Sequence, residues 1–158
     1  VEGKTPTTRH IENAQGLMAG SIVLTLDGEM PVEYLSAGDR IITRDSGVAV
    51  VKSMRRFSIT GRAVHISAGS LGHTRPERDV TVPAGQSILI RDWRAEAIFG
   101  QKQALVPAAL LADGEFVQVK ENVSMTLFEI ELDQPHVIYA DGLEVVSYVA
   151  AMAQAEAA

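Results

Sequence analysis

Turn-forming residues punctuate this chain at short, regular intervals. From Ser21 onward, short β-branched and apolar runs are cut roughly every 8–12 residues by clusters of Gly, Asp, Ser and Pro. That interval is too short for parallel βαβ units, whose crossovers need about a dozen residues or more. It predicts an all-β chain of about ten short strands, a sandwich or a barrel. The expected strands cover 21–26, 31–35, 40–44, 48–58, 62–67, 79–82, 86–91, 115–120, 124–133, 136–140 and 143–148. Asp27-Gly28, Gly38-Asp39 and Asp45-Ser46-Gly47 read as turns, since Gly and Asp tolerate positive φ. One short internal helix is expected over 104–113, which is rich in Ala and Leu and stops at Gly114. Pro107 fits only its first turn.

With 158 residues the chain has the length of one domain. The polar stretch 1–15 reads as a lead-in or linker, 16–148 as the domain, and the Ala-rich stretch 149–158 as a helix or tail. Because the chain starts at Val1 rather than Met, a fragment of a longer protein is expected. With 46% hydrophobic residues the chain can fill a core, which excludes disorder along its whole length. There is no cysteine, which excludes disulfides, thiolate nucleophiles and cysteine-ligated metal. The net charge is −6 and the cations are scattered, the densest pair being Arg55-Arg56, so no nucleic-acid partner is expected. No stretch reaches the roughly 20 apolar residues of a transmembrane helix, and no signal peptide opens the chain.

Several motifs then appear in one order. The run 20–45 contains Gly20-Ser21, Pro31-Val32-Glu33, Leu35-Ser36-Ala37-Gly38-Asp39 and Thr43-Arg44-Asp45. Ile66-Ser67-Ala68-Gly69-Ser70-Leu71-Gly72 and Phe99-Gly100 come next, then Leu105-Val106-Pro107-Ala108, Leu111 and Asp113-Gly114. Phe128-Glu129-Ile130-Glu131-Leu132-Asp133 and Ala140-Asp141-Gly142-Leu143 close the series. Together they resemble a Hint domain, the module shared by hedgehog autoprocessing domains and inteins, in its bacterial form. The resemblance spans about residues 16–148. It implies a Hint-like all-β fold, autoproteolysis as the family activity, and a bacterial, secreted parent protein.

The resemblance breaks at the catalytic positions. A Hint domain opens Cys-Phe-x-x-Gly-Thr, and its first residue attacks the peptide bond before it. Gly16-Leu17-Met18-Ala19-Gly20-Ser21 places Gly16 at that nucleophile. The family's Ser/Thr-x-x-His element, which polarises the scissile amide and protonates the leaving amine, falls on Pro83 and Gln86. Proline has no hydroxyl, and glutamine can hydrogen-bond but not exchange a proton near neutral pH. The His-Asn end of inteins corresponds to Val146-Ser147. His136, in Asp133-Gln134-Pro135-His136, is one residue out of step with a family histidine, which turns it to the other face of a strand. It is retained as a weak catalytic candidate beside the alternative of a partly buried strand histidine.

Other chemistries have less support. His10, His65, His73 and His136 form no close ligand pair, so no metal site is expected. No G-x-S-x-G elbow is present, and Ser147, His136 and Asp133 make a triad only by coincidence of folding. No glycine-rich phosphate cradle appears, and no cofactor is expected. Arg91-Asp92-Trp93-Arg94 reads as a solvated strand end able to offer a cation–π contact. Three functions remain open. The leading one is a catalytically degenerate Hint-like module serving structure or interaction with the rest of a longer protein or with a protein partner. The others are residual self-processing, by an alternative nucleophile or in a version whose cysteine was replaced, and a small-ligand or partner-binding module with a concave polar site near Gly16 and Gln86.

Overall fold

The computed structural model describes residues 14–148. Most of the expected lead-in and all of the expected Ala-rich tail lie outside them. Twelve strands follow one another along these residues. They are β1 (Leu17–Met18), β2 (Ile22–Thr25), β3 (Gly28–Pro31), β4 (Arg40–Thr43), β5 (Gly47–Val50) and β6 (Ser53–Ile66). After a long loop come β7 (Val80–Pro83), β8 (Ser87–Ile90), β9 (Ala104–Pro107), β10 (Val117–Glu131), β11 (Val137–Ala140) and β12 (Leu143–Val146). A single α-helix among the described residues, α1 (Trp93–Phe99), joins β8 to β9. The all-β expectation holds.

One sheet has four strands in the order β1-β10-β6-β7. The other has eight, in the order β3-β2-β4-β11-β12-β8-β9, with β5 paired to β4. All pairings are antiparallel. The core is β-branched and aliphatic: Val23, Ile41, Val64, Ile66, Ile88, Ile90, Ile138, Leu143 and Val145 are almost wholly excluded from solvent. Sheet packing rather than intrinsic preference selects such residues. A smaller cluster of Ala63, Met125 and Leu127 lies along the β6–β10 ribbon.

The turns follow their chemistry. Asp141 (φ 52) and Gly142 (φ 84) both adopt positive φ between β11 and β12, the two-residue hairpin geometry that Asp-Gly favours. A Cβ at Gly142 would lie 2.7 Å from the Glu77 backbone nitrogen, so the space there also demands glycine.

Four expectations need correction. Residues 104–113 are not an α-helix: they form β9 and then a 3-10 turn over Ala108–Leu111. Leu105 and Val106 pair with Leu89 and Ile88, so ladder bonds override the Ala/Leu helix preference. The helix lies earlier, where a solvated strand end was expected. The Asp92 side chain accepts from Arg94 N at 3.0 Å as N-cap, and Gly100 closes the helix at φ 72. Finally, the breaks expected within 48–67 and 115–133 are misplaced. β6 and β10 are long continuous strands, and the irregularity is a register shift between Lys120 and Val123, with Asn122 at φ 57. The expected strand 31–35 is also a 3-10 turn over Val32–Tyr34 after Pro31.

Candidate functional site

Three segments far apart in sequence meet where the chain enters and leaves the domain. Gly16 precedes β1, Gln86 precedes β8, and Val146 ends β12 with Ser147 just after it. The side chain of Gln86 joins them. Its Oε1 accepts from Gly16 N at 2.8 Å. Its Nε2 donates to Val146 O at 2.9 Å and to Ser87 O at 3.0 Å. Gln86 is 1% exposed, so these bonds carry the full weight of its burial. Both amide hydrogens and the carbonyl are occupied. A neutral imidazole offers one donor and one acceptor, so it could not satisfy all three partners at once.

The position of Gln86 follows from its neighbours. Its backbone N–H donates to Pro83 O at 3.0 Å, closing the turn between β7 and β8, and its C=O accepts from Ala108 N at 2.9 Å. Pro83 therefore serves as the turn's acceptor at the end of β7, where it pairs with Ala63. It does not line the cavity beside Gln86.

That cavity holds about 10 Å³, room for about one water molecule. Gly16, Gln86, Glu129, Ser147 and Tyr148 are among its lining residues. The concave polar site anticipated for a binding module is thus a crevice already filled by the Gln86 head group.

Gly16 itself is built for glycine. Its φ is +140°, outside the regions open to L-residues. A Cβ there would lie 3.1 Å from Phe128 O and 3.3 Å from Leu127 Cβ. A cysteine at this position would need the backbone to move, so the local geometry departs from one that carries a nucleophilic side chain.

Sequence reasoning missed Glu129, Arg55 and Tyr148. Glu129 lines the crevice and takes an ion pair from Arg55 at 2.9 Å. Burial pushes its carboxyl above the ordinary range, against the pull of the Arg55 charge. The Arg55 guanidinium also lies over the Tyr148 ring at 5.0 Å. Arg55 was visible only as half of a basic pair, because its partners lie on β10 and at the chain exit. The cation–π contact expected of Arg91-Asp92-Trp93-Arg94 is made within the helix, between Arg94 and Trp93 at 4.9 Å.

His136 is buried rather than partly buried, and it lies just before β11 rather than within a strand. Its backbone joins the site: His136 N donates to Ser147 Oγ at 3.0 Å, and Ser147 N donates to His136 O at 2.9 Å. Its ring is engaged elsewhere. Nδ1 lies 3.2 Å from Asp45 Oδ2 and Nε2 lies 3.1 Å from Asp133 Oδ1. Neither ring nitrogen remains for the Ser147 hydroxyl, so a Ser147–His136–Asp133 relay is not assembled. Asp45 also accepts from Val137 N at 2.9 Å. Burial pushes the Asp45 carboxyl up, but the hydrogen bonds from Val137 and His136 outweigh it and hold it below its ordinary 3.8. The two carboxylates occupy opposite ring nitrogens, and no group of three acidic or histidine side chains among the described residues is arranged to hold a metal ion.

Comparison with known proteins agrees with this architecture. The Hint domain family model matches residues 15–152. The chain is similar to the bacterial intein-like domain from Clostridium thermocellum, with 15% identity and a TM-score of 0.62, covering 85% of this chain and 99% of that one. It is also similar to the DnaB intein from Synechocystis sp. PCC 6803, with 11% identity and a TM-score of 0.60, covering 86% and 100%. A third similar structure is a splice-inactive variant of the AceL NrdHF class 3 split intein, at 12% identity and a TM-score of 0.54, covering 86% and 99%. At these identities the likeness is one of fold. No curated protein sequence matches the chain significantly.

Proposed function

Because this chain belongs to the Hint domain family, and carries that fold without a cysteine, we propose that it is a structural or interaction module of a longer protein, one that grips its flanking segments instead of cutting between them. One observation carries this reading. A buried glutamine bonds the entering chain at Gly16 N and the leaving chain at Val146 O with a single head group. A reactive Hint site needs a nucleophile and a proton donor at these places. Here the first position has no side chain, and the second has an amide that neither donates nor accepts a proton near neutral pH. The same substitutions make a good clamp, since glutamine satisfies an amide N–H and two carbonyls where burial makes each bond count.

Amide exchange tests the clamp. The Gly16 amide should exchange as slowly as those of the core strands, and Gln86→Ala should release Gly16 while the β6–β10 ladder stays protected. Exchange of Gly16 at the free-chain rate in the unmodified protein would refute the clamp. Retention of small solutes by the crevice is disfavoured by its size, about 10 Å³.

A further inference from the structure

A second surface lies away from the clamp, on the outer edge of β6. β10 pairs with β6 along its whole length, but β7 covers only Ala63–Ile66 on the opposite side. Just before β7's reach, Ala84 N donates to Arg62 O at 3.1 Å, which shows that Arg62 directs its carbonyl to that outer edge. Backbone direction alternates along an antiparallel strand. Thr60, Ser58 and Arg56 therefore also present N–H and C=O outward, and no described residue bonds them there. The stretch Phe57-Ser58-Ile59-Thr60 contains no proline and no charge, the devices that normally blunt such an edge.

The ribbon is two-faced. Ser58 and Thr60 sit on a hydroxyl face, each 3.4 Å from its neighbour on β10, Thr126 and Ser124. Phe57 and Ile59 are half-buried on the other face against the Ala63–Met125–Leu127 cluster. Three nearby cations are already partnered, Arg55 with Glu129 at 2.9 Å, Arg62 with Glu121 at 3.5 Å and Lys52 with Glu131 at 3.9 Å, whereas Arg56 makes no ion pair among the described residues.

We propose that residues 56–60 of β6 pair antiparallel with the same residues of a second copy of this chain, about a two-fold axis at Ser58. In that register Ser58 meets Ser58, Arg56 meets Thr60, Phe57 meets Ile59, and Arg55 meets Gly61. Apolar side chains face apolar ones, and no like charges oppose each other. A hydrogen-bonded two-fold register centred on Arg56 sets that arginine against itself, and one centred on Thr60 runs into β7. A foreign extended segment could use the same backbone groups, but the self-complementary spacing selects a second copy. The pairing is independent of the Gln86 clamp.

Sedimentation equilibrium on the full chain, over a concentration series, tests the proposal. A reversible monomer–dimer equilibrium is expected. Ser58→Pro removes an outward N–H without touching the ladder to β10, and should weaken association by about tenfold or more. Ser58→Lys sets two ammonium groups opposite each other at an exposed position, should weaken it by at least about tenfold, and keeps the test decisive where the proline unfolds the chain. A chain monomeric up to about 1 mM overturns the proposal. So does slow exchange of the Ser58 amide in a monomer, which assigns the edge to another segment of the same chain. A dimer whose affinity ignores both substitutions also overturns it.

Discussion

Truncating Gln86 is the most informative single change in this domain. Gln86→Ala leaves Gly16 N–H, Val146 C=O and Ser87 C=O without the side-chain partner each has now. A buried polar group that loses its partner costs about 1–3 kcal/mol. The amide of Gly16 is enclosed, so it bears a cost near the upper end. Val146 lines the crevice, so its carbonyl recovers part of the cost by taking up water in the enlarged space. The expected loss is about 3–5 kcal/mol, a large share of the ~5–15 kcal/mol that holds a domain of this size together. Urea unfolding followed by circular dichroism reads this as a lower midpoint with an unchanged slope. Two further substitutions separate hydrogen bonding from packing. Gln86→Leu keeps most of the volume and loses all three bonds, so it should be nearly as damaging. Gln86→Glu keeps an acceptor for Gly16 but aims a carboxylate at two carbonyls, so it should be at least as damaging at neutral pH and milder in acid. Variants within about 0.5 kcal/mol of the parent protein, the range of ordinary surface changes, would mean that the three Gln86 bonds do not support the fold.

Other changes have definite outcomes. Gly16→Cys supplies a thiol at a φ of +140°, with Phe128 O 3.1 Å from the new Cβ. It should cost about 1–2 kcal/mol in urea unfolding and produce no cleavage by intact mass. Gly142→Ala should destabilise the fold more than Gly114→Ala. Both have positive φ, but only the first meets a backbone atom, Glu77 N at 2.7 Å, and paired urea melts check the order. Acid response follows from Asp45 and Asp113. Backbone N–H groups of Val117 and Glu115 hold the Asp113 carboxyl below 3.8 despite some burial, as the bonds to Asp45 hold that group. Carboxyls depressed on folding stabilise above their unfolded value, and that stability disappears as pH falls through the folded value. Asp45→Asn should therefore lower the urea midpoint at about pH 7, and its deficit against the parent should narrow below about pH 3.8. An equal deficit at both ends would contradict this assignment.

Local chemistry made the turns legible in the sequence. Asp141-Gly142 sits in the hairpin its residue types favour, and Gly38 adopts φ 97 in its turn. The helix was misplaced because composition weighed more than caps. Ala104 to Leu111 has helix-forming residues, whereas Asp92 and Gly100 supply the end signals of the real helix. The continuity of β6 and β10 was hidden by Gly61 and Asn122, which look like breaks but sit in a paired ribbon with a register shift. At the site, the family resemblance pointed to Gly16 and Gln86, and the bond between them links positions 70 apart in sequence. The exit strand's part in the clamp, Val146 O, is a backbone contact across 60 residues and leaves no trace in residue types. Glu129 was hidden for a related reason, since its burial depends on the sheet pairing that places Arg55 opposite it.

The proposed role of this Hint domain is to hold its own ends without cutting between them. Intact-mass spectrometry tests it most directly, on the chain incubated for days at neutral pH with and without thiol and hydroxylamine. The account predicts one species at the full 17.0 kDa under every condition. Fragments from scission between Gln15 and Gly16, above all fragments increased by hydroxylamine, would contradict it.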